Sequence, residues 1–323
     1  MWKTALRRLL ILIPQLILIS LAIFILAYHM PGDALSGLLD PNLPLEVLNQ
    51  MREDMGLNNP WYIQYWDWVT GMFRGDFGRS TRHALPVLDV VGERIWNTFF
   101  LGTFSIVLTY LIAIPLGVIS GKYNNSWIDK GISFYTFVTF ATPTIVMAIV
   151  MIFWFSPIGL GWFPLSGTVD AIVLSSGTPF EILMNRLHHM ALPAITSALV
   201  GTTGIIFTLR ANIIDKKYSD YITLARSKGV PINTIFGKHI LRNSLVPTVA
   251  SIGLVIVGTL TGSVFVELVF NFSGIGLLFL ESIIQRDFPV ANFLIMFFSV
   301  ITAFGVLLSD IILTLVDPRI RIK

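Results

Sequence analysis

Asp220 to Pro247, DYITLARSKGVPINTIFGKHILRNSLVP, is a polar and basic stretch that separates two long apolar runs of the chain. Ser219, just before it, is a residue type that favours the N-cap of a helix, and the aspartate that follows places a negative charge in the first turn. Gly229, two residues before Pro231, is typical of a helix end. The pattern predicts a short helix over 220–228 and a second helix with Pro231 at its first position.

Both predicted helices are amphipathic. The second carries apolar residues at i, i+3, i+4 and i+8, namely Ile232, Ile235, Phe236 and Ile240. A helix of about nine residues is not stable alone in water, so the apolar side of the first helix (Tyr221, Leu224, Ala225) is expected to be buried against another surface. Three surfaces could bury it: a groove in a partner protein, the membrane surface, or the second helix of a simple helix-turn-helix.

The composition of the whole chain indicates a membrane protein. Of its 323 residues, 54% are hydrophobic and 13% are charged, and the mean hydropathy of +0.75 is far above that of a soluble domain. The net charge of +3 is spread over several loops, which argues against nucleic-acid binding. Because the chain has no cysteine, a disulfide framework, a thiolate metal site and a thiol nucleophile are all excluded.

Six segments are apolar enough, and about long enough, to cross a membrane. They are 9–28, 98–119, 132–155, 191–209, 246–270 and 293–316. Basic residues precede the first segment, but no A-x-A cleavage pattern follows it, so we expect a retained span rather than a signal peptide. We therefore predict an all-α, polytopic membrane protein with six transmembrane helices. Its parts are an N-terminal span (1–28), an extracytoplasmic segment (29–97), a core with five spans (98–316) and a tail (317–323).

The distribution of basic residues predicts the orientation of these spans. With six spans, both termini lie on one side of the membrane, together with 120–131 and 210–245. That side carries fifteen of the 22 Lys and Arg residues, and the other side carries seven. Because Lys and Arg are enriched in cytoplasmic loops, we predict that the N- and C-termini and the stretch 210–245 are cytoplasmic.

Prolines and acidic residues interrupt several apolar runs. Pro115 and Pro143 are expected to kink their helices unless neighbouring groups bond the freed carbonyls. The loop 156–190 is rich in glycine and proline, which predicts irregular structure. Glu267 and Asp310 lie near the ends of spans, where a carboxylate stabilises a helix end, extends to the interface or takes part in proton coupling.

The motifs of common enzymes and metal sites are absent. Neither Gly121-Lys122 nor Gly237-Lys238 has the earlier glycine and the following hydroxyl of a G-x-x-x-x-G-K-[ST] loop, so ATP cannot be hydrolysed here by that mechanism. There is no H-E-x-x-H and no G-x-S-x-G. The adjacent His188 and His189 would diverge on a helix, which argues against a shared metal ion. We expect no catalytic residue, metal or cofactor in this chain.

The stretch that begins at Asp220 resembles the cytoplasmic coupling loop of ATP-binding-cassette importer permeases. That loop is usually summarised as E-A-A, three residues, Gly, nine residues, I-x-L-P. Aligned on Gly229, the matches are Ala225 and Leu241, and the differences are Thr223, Leu224, His239 and Arg242. These differences resemble the oligopeptide, dipeptide and nickel branch, whose version is D-Y-x-x-x-A-R-x-K-G followed by H-x-L-R-N. The residues that fit that version are Asp220, Tyr221, Ala225, Arg226, Lys228, Gly229, His239, Leu241, Arg242 and Asn243.

Further segments carry the same resemblance over most of the chain. They are GDFG at 75–78, ELVF…GIG from Glu267 to Gly276, RDFPV at 286–290 and DPR at 317–319. The resemblance implies an importer-type permease fold in the bacterial cytoplasmic membrane. It also implies that 210–245, including Leu224 and the matched residues, contacts ATPase subunits.

The partners and cargo follow from the resemblance as well. They are two ATP-binding cassette ATPase subunits, which would hold ATP and Mg²⁺, a second homologous permease, an extracytoplasmic binding protein and the surrounding lipid. The implied cargo is an oligopeptide, with a dipeptide or nickel as alternatives, moved by alternating access. Two other hypotheses remain: a proton-coupled secondary transporter that uses Glu267 or Asp310, and a membrane scaffold that transports nothing.

The extracytoplasmic segment contains two predicted helices, one over 44–56 and one that begins after Pro60. The second concentrates aromatic side chains, among them Trp61, Tyr65, Trp66 and Trp68. They form either an aromatic belt at the membrane interface or a platform that contacts the binding protein.

The fifth predicted span is rich in small and hydroxyl-bearing residues, including Ser251, Gly258, Thr259, Thr261 and Gly262. Gly258 and Gly262 form a G-x-x-x-G pattern, which lets helices approach closely in a bilayer. By resemblance, the same residues line the translocation path or the interface between two permease subunits.

Overall fold

A computed structural model describes residues 2–29, 45–54, 56, 58–260 and 264–316. The first eight helices are α1 (Trp2–His29), α2 (Leu45–Asp54), α3 (Trp61–Phe73), α4 (Val87–Lys122), α5 (Trp127–Ala141), α6 (Thr144–Phe155), α7 (Ala171–Ser176) and α8 (Pro179–Lys217). The remaining segments are α9 (Asp220–Ser227), α10 (Ile232–Thr234), a π-helix (Ile235–Leu241), α11 (Arg242–Ala250), α12 (Ile252–Leu260), α13 (Val264–Val269), α14 (Ile275–Ile284) and α15 (Phe288–Val316). The predicted all-α fold class is confirmed.

Four helices within the described residues are long and apolar enough to cross a membrane, namely Val87–Lys122, Pro179–Lys217, Ile232–Thr259 and Phe288–Leu315. The pair α5 and α6, which meet at 108°, makes a fifth if the two cross together. The described apolar part of α1, Leu10–Leu26, is shorter than these. The set is compatible with the predicted six spans once α1 is added. The predicted tail, 317–323, lies outside the described residues.

The prolines within the spans have different effects. At Pro143, α5 ends at Ala141 and α6 begins at Thr144, so the predicted kink is a complete break. Proline lacks the N–H that would continue the helical hydrogen bonds of α5. The helix α4, in contrast, is continuous through Pro115.

Three long helical regions begin more than ten residues before the predicted spans, and the first of them is α4, which begins at Val87 rather than at 98. The helix α8 begins at Pro179 rather than near residue 191, because Thr178 and Glu181 form a capping box. In it, the Thr178 N–H donates to Glu181 (2.7 Å), and the Glu181 N–H donates to the Thr178 hydroxyl (3.3 Å). The predicted irregular loop is therefore shorter, and α7 lies within it. The helical region that holds the fifth predicted span begins at Ile232 rather than at 246.

The helices α4 and α8 form the centre of the fold. Gly117 and Gly121 on α4 let the two backbones approach, since a Cβ at Gly121 would lie 2.7 Å from the Cβ of Ile213 on α8. Many large apolar side chains elsewhere are exposed, such as Leu111 on α4 and Phe140 on α5. Such a surface is typical of a chain that faces lipid or other subunits.

Candidate functional site

The first predicted short helix is present as α9, and its end has the expected geometry. The residue after it, Lys228, is the C-cap, so α9 is one residue shorter than predicted. Gly229 has φ +72°, and its N–H donates to the Arg226 carbonyl (3.0 Å). The N–H of Val230 donates to the Ala225 carbonyl (3.2 Å). A left-handed residue with these hydrogen bonds ends the helix as the glycine predicts.

The start of α9 differs from the prediction in its hydrogen bonding. Ser219 occupies the N-cap position with an extended backbone, but its side chain does not cap the helix. Its hydroxyl instead donates to the carbonyl of Lys216 (2.6 Å), near the end of α8. Ser219 therefore fixes the turn between α8 and α9.

Ile222 attaches α9 to the rest of the chain. It is the fully buried residue of α9, and no pattern in the sequence singled it out. Its side chain belongs to a buried cluster with Leu209, Ile213, Ile235 and Ile240. The cluster joins the end of α8, α9 and the π-helix, so the exposed segment around α9 rests on an apolar base.

The opposite side of α9 is exposed and apolar in part. We define the α9 patch as Tyr218, Tyr221, Leu224 and Ile232, whose exposed fractions are 75%, 41%, 54% and 70%. Tyr221 and Leu224, which were predicted to be buried against another surface, are therefore not buried within this chain. Ala225, in contrast, packs against the Ile222 cluster. Among these apolar residues lie the exposed charged residues Asp220, Arg226 and Lys228. Exposed apolar side chains beside charges are typical of a protein interface.

The second half of the predicted coupling motif is helical, and its residues Ile235 and Ile240 belong to the Ile222 cluster. Pro231 is the N-cap, with ψ 140°, so the helix begins at Ile232, one residue later than predicted. Leu241 packs against the Ile222 cluster. The side chain of Asn243 donates to the His239 carbonyl (2.8 Å), while Arg242 is exposed. A π-helix over seven residues was not foreseen, because no local residue pattern distinguishes it from an α-helix.

The candidate path residues have mixed environments. Ser251 and Thr259 donate to helix carbonyls of their own segment, and Thr259 lies against Gly102 of α4. The helices α12 and α15 approach closely at Gly253, where an added Cβ would lie 2.5 Å from the Gly305 carbonyl oxygen of α15. At Gly258 a Cβ would meet no atom of the described residues within 4 Å. Thr261 and Gly262 lie outside the described residues.

Glu267 is a buried carboxylate at the junction of three helices. One oxygen accepts from the Thr98 hydroxyl of α4 (3.0 Å), and the other accepts from the backbone N–H of Leu277 in the first turn of α14 (2.7 Å). Gly274 makes room for it, because a Cβ there would lie 2.5 Å from the carboxyl group. The side chain does not extend to the interface. It stabilises the start of α14.

The family described as "Binding-protein-dependent transport system inner membrane component" matches residues 113–322. The chain belongs to this family. A second family, "Binding-prot-dependent transport system membrane comp, N-term", matches residues 1–100. The predicted resemblance to ATP-binding-cassette importer permeases is thereby confirmed.

Curated relatives match this permease over nearly its whole length. The "Oligopeptide transport system permease protein AppB" of Bacillus subtilis (strain 168) is 38% identical over 316 residues, which are 98% of each chain. The "Glutathione transport system permease protein GsiC" of Escherichia coli (strain K12) is 32% identical over 332 residues, covering 100% of each chain. A solved structure of the MetNI methionine ABC transporter matches with a TM-score of 0.54 and 15% identity, covering 71% of this chain and 97% of that one. That likeness supports the predicted importer-type permease fold.

The aromatic residues of α3 in the permease divide into two groups. The hydroxyl of Tyr65 lies 2.9 Å from that of Ser20 on α1, and the rings of Tyr65 and Trp68 contact Phe24. Trp61 and Trp66 are exposed, Trp66 by 65%. Tyr65 and Trp68 therefore pack α3 against α1, and the two exposed tryptophans are the ones available to lipid or a partner.

Two of the permease motifs that are distant in sequence lie together. Asp287, at the start of α15, is buried and accepts hydrogen bonds from the Ser80 hydroxyl and the Thr81 N–H (3.1 Å). Phe77 of GDFG contacts Phe293 edge to face, with 4.7 Å between ring centroids. These contacts attach the segment before α4 to α15.

Proposed function

We propose that this permease imports peptides, oligopeptides in particular, and that the α9 patch is the surface on which an ATPase subunit docks. The observation that carries the docking proposal is the exposure of Tyr221 and Leu224 on a helix whose other side is anchored by Ile222. An amphipathic helix presented in this way suits a groove in a partner. The cargo proposal is supported by the names of AppB and GsiC, since both oligopeptides and glutathione are peptides.

The proposed mechanism is alternating access. In this mechanism, ATP-driven closure of two ATPase subunits moves α9, and the spans attached to it rock to open the path on the other side. The complete transporter would also contain a second permease and an extracytoplasmic binding protein. ATP and Mg²⁺ would be bound by the ATPase subunits, since this chain lacks a phosphate-binding loop.

Uptake by the assembled transporter in sealed vesicles tests this proposal. A tagged permease is purified with its bound partners, which are identified by mass spectrometry, and the complex is reconstituted with the binding protein and a labelled peptide mixture. We expect uptake that requires ATP and continues when the proton gradient is collapsed. Uptake that stops with the proton gradient but continues without ATP would instead show a secondary transporter. The absence of any uptake would favour a scaffold.

We predict that single cysteines at Asn49 and Asn233 react from opposite sides of the membrane. Both side chains are exposed, and the chain has no cysteine of its own. Because the basic residues place 210–245 in the cytoplasm, an impermeant thiol reagent added to intact cells should label Asn49→Cys and not Asn233→Cys. After permeabilisation both should be labelled. Labelling of Asn233→Cys alone on intact cells would reverse the orientation and remove the docking proposal.

We predict that Trp61→Ala with Trp66→Ala raises the binding-protein concentration needed for half-maximal transport by about fivefold or more. Buried aromatic anchors at interfaces each contribute more than about 1 kcal/mol. The measurement is transport in reconstituted vesicles against binding-protein concentration. Trp68→Ala is the comparison, because Trp68 contacts Phe24 and its loss should lower the amount of permease instead. An unchanged concentration dependence in the exposed pair would assign those two residues to the lipid interface.

A further inference from the structure

A partly buried ion pair joins the start of α5 to α8, the helix that precedes α9; the Asp129 side chain is 3% exposed and the Arg210 side chain 30%. Arg210 of α8 donates to both carboxylate oxygens of Asp129 on α5, at 2.7 and 2.9 Å. Asp129 is buried and also accepts from the Ser120 hydroxyl of α4 (2.5 Å) and from the Asn125 N–H (2.7 Å). One carboxylate thus joins α4, α5, the turn between them and α8.

Further contacts attach the same turn to the end of α8. The ammonium group of Lys217, the last residue of α8, donates to the Lys122 carbonyl and to the Asn124 side chain, both at 2.7 Å. The ammonium group of Lys122 lies 5.2 Å from the ring centroid of Phe236 in the π-helix. Both helices that flank α9 are therefore tied to the turn between α4 and α5.

The energetics of the pair argue against a purely stabilising role. An ion pair with a buried carboxylate contributes little net stability, because the cost of removing charge from water offsets the attraction between the two groups. A bidentate arginine–carboxylate pair does fix the relative position of its two helices, since both hydrogen bonds are directional. Apolar packing between α4 and α8 at Gly121 and Ile213 already holds these helices together. The helix α5 also contacts α8 through Ile132, which packs with Ile205 and Ile206, and through the Thr139–Thr203 hydrogen bond (2.6 Å). The pair adds a charged, directional link at the start of α5.

We propose that the Asp129–Arg210 ion pair is a positioning element for energy coupling, which makes the ends of α4, α5 and α8 move as one body with the α9 patch. A force applied to α9 reaches α8 directly through the chain and through the Ile222 cluster. It reaches α5 through Asp129 and Arg210. Without the pair, the start of α5 would keep only apolar packing and hydroxyl hydrogen bonds to α8, so it would follow the movement of α8 less closely. This inference rests on the proposed docking of an ATPase to the α9 patch.

The test is the double substitution Asp129→Asn with Arg210→Gln in the complete transporter. Removing both charges leaves no uncompensated buried charge. The asparagine oxygen can accept from the Asn125 N–H while its amide group donates to the Ser120 hydroxyl, which rotates to suit its partner. We expect ATPase subunits to be retained and ATP hydrolysis to continue, while peptide transported per ATP hydrolysed falls about 2- to 30-fold, the range found for changes along coupling networks. Arg210→Lys keeps the positive charge but has one donor group instead of the two that bond Asp129. The peptide transported per ATP hydrolysed should therefore lie between the values of the native transporter and the double variant.

Arg186 supplies a matched control on the same helix. It lies near the other end of α8 and pairs with Glu93 of α4 at 3.2 Å, but both side chains are exposed. Because exposed pairs contribute little, Arg186→Gln should leave the transport-to-hydrolysis ratio unchanged. If the pair is needed only for folding, the substitutions should lower the amount of assembled transporter. The peptide transported per ATP hydrolysed by the assembled fraction should then stay at the native value. That result, in the double variant or in Arg210→Lys, overturns the proposal.

The failure of this inference is distinguishable from failure of the proposed function. If the native chain retains no ATPase subunit or shows no ATP-dependent uptake, the docking proposal is wrong. If the native transporter couples hydrolysis to uptake and the variants do so at the same ratio, only the role of the Asp129–Arg210 pair is wrong.

Discussion

Replacing Gly229 with valine should reduce the recovery of ATPase subunits with the permease about 5- to 30-fold, without changing the amount of inserted permease. Gly229 has φ +72°, and a left-handed residue with a side chain costs about 1–2 kcal/mol, which corresponds to that factor. A Cβ at this position would meet no atom within 4 Å in the part of the chain that the structure describes, so the effect comes from the backbone rather than from a clash. The strain is relieved when the end of α9 unwinds, and unwinding moves Tyr221 and Leu224 out of place. The measurement is quantitative co-purification from membranes, together with peptide uptake.

Gly237→Val is the matched control for this substitution. Gly237 lies in the π-helix, is exposed, and offers equally open space to a Cβ, but its φ is not positive. The Gly237→Val permease should therefore retain more of its ATPase subunits than the Gly229→Val permease. The recovery of ATPase subunits with Gly229→Ala should lie between those of Gly229→Val and the native permease. Full recovery of ATPase subunits and native uptake with Gly229→Val would show that the α9 patch is not the docking surface.

Local signals in the sequence were sufficient for the short helix. The aspartate at its start and Gly229 at its end predict the bounds of α9 to within one residue. The capping box formed by Thr178 and Glu181 was equally visible and would have placed the start of α8 correctly. Such features could be predicted because the interacting groups lie within a few residues of one another.

Contacts between distant residues could not be predicted from a single sequence. Asp129 and Arg210 are 81 residues apart, and Ser80 and Asp287 are 207 residues apart. Which side of α9 is buried is also a tertiary property. Ile222 rather than Tyr221 is buried because Ile213 and Ile235 lie beneath it. An eight-residue helix carries apolar residues on more than one side, so its sequence does not identify the side that faces the fold.

Glu267→Ala should have the largest effect on the amount of folded permease. The substitution leaves two buried donors, the Thr98 hydroxyl and the Leu277 N–H, without their acceptor. Each unsatisfied buried group costs about 1–3 kcal/mol, and the deleted side chain leaves a cavity beside Gly274. A loss of this size is a large part of the stability of a typical protein. We therefore expect little permease in membranes, measured by quantitative immunoblotting and by the thermal stability of the detergent-solubilised chain.

Glu267→Gln separates this structural role from proton transfer. A glutamine has nearly the same volume, and its carbonyl oxygen can accept from the Leu277 N–H while its amide group bonds the Thr98 hydroxyl, which rotates to suit its partner. The start of α14 would remain stabilised, so we expect near-native amounts of permease and ATP-dependent uptake close to the native rate. A carboxylate that carries protons would lose its function in this variant, because an amide does not titrate. Normal amounts of Glu267→Gln permease with no uptake would therefore contradict the structural role and favour a proton-coupled transporter.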